Sequence, residues 1–404
     1  MHYREAIDWL FSTQMFGIKL GLDGPRCLLK HALAHPRHGT RVIHVAGTNG
    51  KGSTCAMIDS VARAAGMRTG LFTSPHLIDY RERIRVSGEE IPEKECATML
   101  TALRAICETL DPHPTFFEIT LALAMQWFRV RECDLIVLET GMGGRLDATT
   151  AVDADVCVIT PIGMDHMQWL GDTIEQIAFE KAGILVPGKP CVVAPQDPAA
   201  AMVIEREANE RRTPLEFVSE PLLGYNIALA GAHQRWNAAL AVNALHLAGV
   251  ALRPEIVRHG LGNIHWPARF ERLEGGGIVI DGAHNPHAAR VLAETWREEY
   301  REEKAALVFS AVAAKDVIGI LETLAPLAAR IFLCPVDTPR ALSADELAAA
   351  MPRDGPPHAC FHTCSDALAA ARETGLRILI AGSLFLAGEA RAALVGGDFQ
   401  ASEQ

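Results

Sequence analysis

The sequence contains no long hydrophobic run and no surplus of positive charge. None of its apolar stretches reaches the roughly 18 residues that a membrane-spanning helix needs, so we expect no association with a membrane. Arg4, Glu5 and Asp8 lie in the first ten residues and argue against a secretory signal peptide. The formal net charge is −11. A protein that binds nucleic acid needs a clustered basic surface, and we therefore expect no such partner.

The sequence also lacks any regular cysteine framework. Its ten cysteines are scattered singly, which is typical of reduced thiols, and we predict a cytoplasmic protein. One alternating cluster, made by His358, Cys360, His362 and Cys364, has two interpretations: a zinc site, or a strand followed by a helix capped by Ser365. Extended residues rise roughly 3.3 Å each, so the ends of the cluster would lie about 20 Å apart. The second interpretation is therefore favoured.

What the sequence does contain is an alternation of short apolar runs with amphipathic helices. This alternation is typical of an α/β architecture with mostly parallel sheets. A first series runs from a strand at 42–46 to a strand at 191–194, and a second begins at 278–280. Trp266 and Pro267 interrupt the pattern. We therefore predict an N-terminal domain of residues 1–265 and a C-terminal domain of residues 268–404.

A glycine-rich segment lies between the strand 42–46 and a helix predicted to begin near residue 53. Glycines at 47, 50 and 52 allow backbone N–H groups to face phosphate oxygens, and the helix N-terminus adds a positive dipole end. Lys51 would reach the β- and γ-phosphates, and Ser53 or Thr54 could face magnesium. Two residues rather than the usual four separate Gly47 from Gly50, so a turn that binds nothing is the alternative. The flanking strand and helix favour a nucleotide loop formed by Gly47, Thr48, Asn49, Gly50, Lys51, Gly52, Ser53 and Thr54.

Metal-competent side chains follow three other predicted strands. Ser74 follows the strand 69–73, Glu139 ends an apolar strand, and Asp165 with His166 follows the strand 156–160. The carboxyl ends of parallel strands meet at one edge of a sheet, and magnesium prefers oxygen ligands. Each group alone could be a loop residue or a helix cap. Together, beside a phosphate loop, they predict a magnesium site.

The helix predicted at 174–182 carries a lysine on its apolar stripe. Thr173 and Gln176 predict a capping box at its start. Lys181 lies seven residues after Ile174 and so shares the stripe of Ile174 and Ile177. Two interpretations remain. Either the ammonium group snorkels to solvent, which the pattern alone favours, or the amine points into the site and is neutral enough to be modified.

Several of these segments resemble the folylpolyglutamate synthase/dihydrofolate synthase family of the Mur ligase superfamily. The resemblance runs from about residue 16 to residue 389, with the motifs in family order. They include Gly-Thr-Asn-Gly-Lys-Gly-Ser at 47–53, Thr-Ser-Pro-His-Leu at 73–77, Glu-Thr-Gly-Met-Gly-Gly-Arg-Leu-Asp-Ala-Thr at 139–149, Asp-His-Met at 165–167 and Phe-Glu-Lys-Ala-Gly-Ile at 179–184. Further motifs lie at 231–238, 267–271, 281–288, 315–316 and 382–383.

The resemblance implies a P-loop ATPase domain, a smaller Rossmann-like C-terminal domain, ATP and two magnesium ions. One ion is expected near Ser53, Ser74 and Glu139, and a second near Glu139, His166 and Lys181. The matching lysine of the family is carbamylated, which would turn a cation into an anionic oxygen ligand. The residues implied to be catalytic are Lys51, Glu139, His166 and Lys181. Those implied to contact ATP beyond the phosphate loop are Gln234, Asn237, Arg269 on phosphate, and Asp281 and His284 near the nucleoside.

The implied reaction is ATP-dependent amide formation between L-glutamate and dihydropteroate or a reduced folate. We expect the enzyme to be a monomer. Arg83 and Phe117 are the candidate substrate contacts. Arg81, Arg83 and Arg85 alternate and would share one face of a strand, although a solvated face is an equally good interpretation for Arg81 and Arg85. Alternatives are a Mur-type ligase acting on a cell-wall precursor and an ATPase switch that ligates nothing. The chain departs from the family pattern at Thr150, where Asn is usual, and in a short segment at 213–230.

Overall fold

The computed structural model describes residues 1–17, 19–313, 315–397 and 399–401 of the chain. The chain divides into two compact units. The first comprises Met1–Pro75, Arg81–Ile227 and Arg235–Ile264, and the second comprises His76–Tyr80, Ala228–Gln234 and the chain from His265 onward. Gln404, the last residue of the predicted C-terminal domain, lies outside the described residues.

The first unit is built on an eight-stranded sheet with the order β4-β3-β2-β5-β1-β6-β7-β8. Six neighbouring strands run parallel, and the edge strands β3 and β4 are antiparallel. The central strands are buried on both faces, which explains their continuous apolar runs. The strands are β1 Arg41–Ala46, β2 Thr69–Phe72, β3 Ile84–Val86, β4 Glu89–Glu90, β5 Leu135–Glu139, β6 Val156–Ile159, β7 Cys191–Val193 and β8 Leu215–Phe217.

Ten α-helices accompany this sheet in the described chain. The helix at residues 116–130 begins with a capping box of Thr115 and Glu118 and is buried over most of its surface. The helices are α1 Tyr3–Ser12, α2 Asp23–His31, α3 Lys51–Ala64, α4 Glu93–Cys107, α5 Phe116–Val130, α6 Met167–Leu170, α7 Ile174–Ala182, α8 Pro198–Arg211, α9 His233–Leu247 and α10 Pro254–Gly262. The first two residues of α9 group with the second unit.

The second unit is a six-stranded sheet with the order β13-β12-β11-β14-β10-β9, in which only β9 runs antiparallel to its neighbour. Two separate clusters of buried apolar side chains belong to this unit, one including Trp296 and the other including Phe332. The strands are β9 Glu271–Leu273, β10 Ile278–Ile280, β11 Ala305–Phe309, β12 Ala328–Leu333, β13 His358–Cys360 and β14 Ile378–Ala381. The helices are α11 Pro286–Tyr300, α12 Val317–Leu324, α13 Ala344–Ala349, α14 Cys364–Arg372 and α15 Leu384–Val395.

The α/β architecture with mostly parallel sheets is confirmed, whereas several local predictions were wrong. Tyr80–Arg83 forms a 3₁₀ turn, so Arg81 and Arg83 do not share a strand face with Arg85. Arg81 and Arg85 instead form ion pairs with Glu93 and Glu90, with N–O distances of 3.7 and 3.6 Å.

Two further corrections concern helix starts. Helix α3 begins at Lys51 rather than near residue 53, because Gly50 takes the left-handed backbone conformation of its N-cap. Helix α14 is capped by Thr363, whose side chain accepts the Asp366 N–H, and not by Ser365. In the described chain, no three His, Cys, Asp or Glu side chains lie close enough to hold one metal ion. Within the same residues, no helix is long and apolar enough to cross a bilayer.

Candidate active site

The carboxyl ends of four neighbouring parallel strands bring most of the predicted site residues of the first unit to one edge of its sheet. Strand β1 pairs with both β5 and β6, and β5 also pairs with β2. The phosphate loop follows β1, Glu139 ends β5, and Ser74 lies two residues beyond β2. The Ser74 N–H donates to Glu139 Oε2 at 3.1 Å, so these two are in direct contact.

The phosphate loop has a shape that only glycine allows at its start. Gly47 has φ of 146°, and a Cβ there would lie 1.9 Å from Thr160 Oγ1. Gly50 sits beside Asn237, because a Cβ on Gly50 would lie 2.7 Å from Asn237 Oδ1. Lys51 Nζ donates to the carbonyl oxygens of Gly47 and Thr48 at 3.2 Å each. The lysine therefore already lies over the loop whose phosphate it is predicted to bind.

The rest of the loop is anchored to the chain that follows β6. The backbone N–H groups of Thr48 and Asn49 both donate to the Pro161 carbonyl oxygen, at 3.0 and 3.2 Å. Gly52, Ser53 and Thr54 are buried in the first turn of α3. The buried Thr54 Oγ1 makes no hydrogen bond within the part of the chain that the structure describes. The loop thus holds backbone and hydroxyl groups in a fixed arrangement at a helix N-terminus.

The metal-competent groups differ in their burial. Glu139 is only 5 % exposed, and the buried Ser74 Oγ has no hydrogen-bond partner among the described residues. His166 follows β6 in a left-handed backbone conformation, and its side chain is 44 % exposed. Its N–H donates to Asp165 Oδ1 at 2.9 Å, and its Nε2 lies 4.0 Å from Asp165 Oδ2. An orphaned serine hydroxyl beside a buried carboxylate is a suitable start for an oxygen-ligated magnesium site.

Lys181 is buried, which rules out the snorkelling interpretation. Its residue is 4 % exposed, and Nζ donates to the Gly47 carbonyl oxygen of the phosphate loop at 2.7 Å. The pKa of Lys181 is lowered from its ordinary 10.5 to about 7, mainly by burial and also by the nearby Lys51 charge, whereas Asp165 and Asp147 oppose the shift. The capping box of Thr173 and Gln176 is present.

The loop after β5 fixes the end of helix α7 that carries Lys181. The Arg145 N–H donates to the Glu180 carbonyl oxygen at 2.7 Å, and Arg145 Nη2 lies 2.7 Å from Glu180 Oε1. A Cβ on Gly183 would lie 2.1 Å from the Arg145 Cβ. Thr150 Oγ1 donates to the Gly144 carbonyl oxygen at 2.6 Å, so this threonine closes the loop.

Sequence analysis did not predict a buried row of hydrogen-bonded polar side chains behind the site. His44 on β1 lies 2.8 Å through its Nε2 from Thr149 Oγ1, and the Thr149 hydroxyl in turn bonds the Asp147 carboxylate. Burial lowers the pKa of His44 to about 3, so the imidazole is neutral. Burial also raises the pKa of Asp147, while hydrogen bonds from Thr149 and Met142 oppose that shift. The only sequence signal was a polar residue within an otherwise apolar strand.

The two candidate substrate contacts lie close to the same edge. Arg83 is fully buried, with its guanidinium carbon 5.3 Å from the centre of the Phe116 ring. The Phe117 ring is half-buried and lies 5.6 Å from the Phe72 ring, centre to centre. A Cβ on Gly141 would lie 2.7 Å from the Phe117 ring, so this ring covers the start of the loop after β5.

In the second unit, three predicted ATP contacts lie near the carboxyl end of β10: Asp281 and His284 follow the strand, and a Cβ on Gly282 would lie 2.7 Å from Arg269 Nη1. Asp281 follows β10, and its oxygens accept the N–H groups of Phe270 and Ala283 at 2.9 and 2.8 Å. Burial raises the pKa of Asp281, and the nearby Arg269 charge opposes that shift. His284 donates from Nδ1 to the Gly282 carbonyl oxygen at 2.8 Å. Gln234, which also groups with this unit, is buried.

The fold and these site features define the class of protein. Residues 45–221 match the Mur ligase middle domain, and residues 268–384 match the glutamate ligase domain of Mur ligases. Together these matches contain the phosphate loop, Glu139, Lys181, Arg269 and Asp281. The chain is therefore a Mur-type ligase.

Comparison with individual proteins narrows this class. The chain is 37 % identical to dihydrofolate synthase/folylpolyglutamate synthase of Bacillus subtilis, over 85 % of this chain and 88 % of the relative. It superposes with a TM-score of 0.86 on E. coli FolC in complex with DHPP and ADP, at 30 % identity over 96 % of this chain and 97 % of that one. A bifunctional folylpolyglutamate synthase/dihydrofolate synthase with Mn, AMPPNP and L-glutamate bound superposes with a TM-score of 0.85, at 31 % identity over 96 % and 98 % of the two chains. The chain belongs to the folylpolyglutamate synthase/dihydrofolate synthase family and is an ATP-dependent glutamate ligase.

Proposed function

We propose that this enzyme joins L-glutamate to dihydropteroate and also extends the glutamate tail of reduced folates. The observation that carries the proposal is the joint presence of a phosphate loop, the Ser74–Glu139 contact and the buried Lys181 at one sheet edge. The related structure with AMPPNP, Mn and L-glutamate supports the same set of ligands for this chain. Membership of this family argues against the two alternatives, a cell-wall substrate and an ATPase switch.

The proposed chemistry proceeds through an acyl phosphate. A carboxylate oxygen of the pterin substrate attacks the γ-phosphorus of ATP, and ADP leaves. The amine of L-glutamate then attacks the acyl carbon, and phosphate leaves from the tetrahedral intermediate with formation of the amide. Phosphoryl transfer depends mainly on positioning and charge neutralisation. Lys51 and the N–H groups of the phosphate loop are suited to that work, and no covalent nucleophile is required.

The side chains at the sheet edge fit an oxygen-ligated divalent ion. We assign a first ion to Ser53, Ser74 and Glu139, because the buried Glu139 carboxylate accepts the Ser74 backbone N–H and the Ser74 hydroxyl has no hydrogen-bond partner among the described residues. A second ion is assigned to Glu139, His166 and Lys181. Bound magnesium would neutralise phosphate charge and polarise the transferred group.

Lys181 suits the second assignment only after modification. A protonated amine cannot ligate a cation, whereas a carbamate offers an anionic oxygen. The depressed pKa of Lys181 supports carbamylation, since the neutral amine is the form that takes up carbon dioxide. Mass spectrometry of the intact protein in bicarbonate buffer would detect the added carboxyl group, and its absence with magnesium and nucleotide present would contradict the assignment.

The predicted domain of residues 1–265 is assigned the magnesium ions, the phosphate loop and the folate, and the predicted domain of residues 268–404 is assigned further contacts with ATP. Asn237 is assigned to ATP because it adjoins Gly50 of the phosphate loop. Gln234, Arg269, Asp281 and His284 are assigned to ATP, with Arg269 on phosphate. Arg83 and Phe117 are assigned to the folate, and variants of either should raise the folate KM more than the ATP KM.

We also propose that the enzyme works as a monomer in a reducing cytoplasm. All ten cysteines are free thiols, which fits a reducing compartment. A specific activity that falls on dilution would contradict the monomer.

A product assay tests the proposed function. Purified enzyme is incubated with ATP, magnesium and L-glutamate, and with dihydropteroate or a reduced folate in separate reactions. We expect glutamate-dependent ADP release in both, with products one or more glutamates heavier. Product with only one substrate would reduce the proposal to that activity. ADP release that depends on neither glutamate nor folate would contradict the proposal and support an ATPase switch that ligates nothing.

A further inference from the structure

The short segment that presents Arg269 has an unfavourable backbone. Ala268 has φ of 54° and Phe270 has φ of 50°, so two non-glycine residues in left-handed conformations flank the arginine. Such conformations cost energy for L-residues and persist only when the surrounding structure enforces them. The segment therefore needs specific contacts that hold it.

Three hydrogen bonds to the backbone supply this enforcement. Asp281 Oδ2 accepts the Phe270 N–H at 2.9 Å, and Glu271 Oε2 accepts the Ala268 N–H at 3.0 Å. The Ala268 carbonyl oxygen accepts the Gly282 N–H at 2.9 Å. Both flanking residues are thus fixed by a carboxylate, one on each side of Arg269.

Glu271 is itself locked by a single cation. Arg391, on helix α15, places its Nε 3.0 and 3.1 Å from the two carboxylate oxygens of Glu271. The side chains of Glu271 and Arg391 are only 9 % and 18 % exposed, so this ion pair is shielded from solvent. By contrast, the nearby Glu274–Arg372 pair is about half-exposed on both sides. A charge pair shielded in this way can restrain a loop, whereas an exposed one contributes little.

We propose that Glu271 and Arg391 are positioning residues that hold Arg269 in the orientation needed for ATP. Arg391 orients the Glu271 carboxylate, and that carboxylate fixes the left-handed Ala268 before Arg269. The inference rests on the proposed role of Arg269 at the phosphate. Helix α15 carries none of the assigned ATP contacts, yet it is required to hold Arg269 in position through Arg391.

The test is a double-mutant cycle on the full chain, read as kcat/KM for ATP. Arg269→Ala and Arg391→Met are made singly and together. We expect Arg391→Met to lower kcat/KM for ATP on the order of ten- to a hundredfold, as small misplacements of a catalytic group do. In the Arg269→Ala background the same change should have no further effect, because its only route is through Arg269. Equal, additive losses in both backgrounds would overturn the proposal.

Two conservative variants separate positioning from general stability. Arg391→Lys keeps the charge and should recover part of the loss, and Glu271→Gln should resemble Arg391→Met. The matched control Glu274→Gln breaks the exposed pair and should leave kinetics unchanged. The KM for L-glutamate should stay at the parental value throughout, whereas a change in it that matches the ATP effect would indicate a general disturbance of the active site and overturn the inference. If Arg269→Ala has the kinetics of the parent, the phosphate role of Arg269 is refuted, and the inference is refuted with it. If Arg269→Ala is impaired but Arg391→Met has the kinetics of the parent, only the inference is refuted.

Discussion

At the scale of single residues, Lys51 and Lys181 have different environments although both contact the phosphate loop. Lys51 Nζ is half-buried over the phosphate loop and bonds two carbonyl oxygens, whereas Lys181 is buried beneath it. Each donates to the Gly47 carbonyl oxygen. An anion bound by the loop would compete with these carbonyl oxygens for the Lys51 ammonium group. Lys181, by contrast, is available for modification only as a neutral amine.

We predict that Lys51→Ala lowers the ligation rate on the order of a hundredfold or more while leaving the fold intact. The change removes a charge that would stabilise the transferred phosphate, and such contributions are typically of that size. ADP release measures the effect, and the unfolding midpoint without ligand provides the control. A variant that keeps most of its turnover would contradict the phosphate-loop assignment.

We predict that Lys181→Ala loses most activity and that acetate restores part of it. Acetate can supply a carboxylate in the space left by the side chain, as the proposed carbamate does. Lys181→Arg is the matched control, because arginine stays charged and cannot be carbamylated. Ligation rates are measured with and without acetate. Equal rescue of both variants, or full activity of Lys181→Arg, would exclude the carbamate.

At the scale of elements, the order of the strands decides which groups can cooperate. Because β5 lies between β2 and β1, Glu139 comes to lie between Ser74 and the phosphate loop. Helix α7 reaches the same edge through the loop after β5, which contacts Glu180 and Gly183. The metal assignments therefore depend on contacts between elements rather than on any one motif.

We predict that Glu139→Gln and His166→Ala both raise the magnesium concentration needed for half-maximal activity. Loss of even an outer partner of a metal site typically weakens binding at least about tenfold, and a direct ligand should matter no less. Magnesium titrations of the ligation rate measure the shift. If both variants titrate like the parent, or if excess magnesium rescues neither, the shared ion is wrong.

We predict that Gly183→Ala destabilises the protein by about 1–3 kcal/mol, the usual cost of overpacking, and lowers activity. The added Cβ would overlap Arg145 and push the loop after β5 away from the helix that holds Lys181. Gly262→Ala is the matched control, because its Cβ would meet its nearest neighbour at 3.9 Å. Chemical denaturation and ligation rates are compared. Equal stability of the two variants would show that this contact does not hold α7.

At the scale of the whole molecule, burying one lysine makes the free energy of unfolding depend on pH. The folded pKa of Lys181 is about 7 and its ordinary value is 10.5. Between these values the unfolded chain binds a proton that the folded chain does not. The contribution of Lys181 to stability therefore rises with pH across this window, and it is constant below about pH 7.

We predict that Lys181→Met removes this rise. Urea denaturation is measured between pH 7 and 10 in buffer free of carbon dioxide, so that no carbamate forms. The difference in unfolding free energy, parent minus variant, should increase with pH. The reason is that folding requires Lys181 to lose its proton, and this loss costs less free energy as the pH rises. A difference that stays flat or falls would show that Lys181 is protonated in the folded state.

Local features of this protein follow from its sequence because neighbouring residues decide them. The central strands were recognised from apolar runs, and the capping box of Thr173 and Gln176 from its spacing. The strand and helix around the phosphate loop were found in the same way, although the left-handed Gly50 moved the helix start to Lys51. The family motifs extended these predictions to segments that lie far apart in the chain.

The tertiary structure alone decided the features that depend on contacts between distant residues. The apolar stripe that carries Lys181 favoured an ammonium group that reaches solvent. In the fold, however, the amine donates to the carbonyl oxygen of Gly47, 134 positions away in the chain. The alternation of Arg81, Arg83 and Arg85 suggested a strand, but the chain turns there and buries Arg83 against Phe116. The Glu271–Arg391 pair spans 120 positions and left no local pattern. Periodicity records which side of an element is apolar, whereas long-range packing determines what a polar group on that side meets.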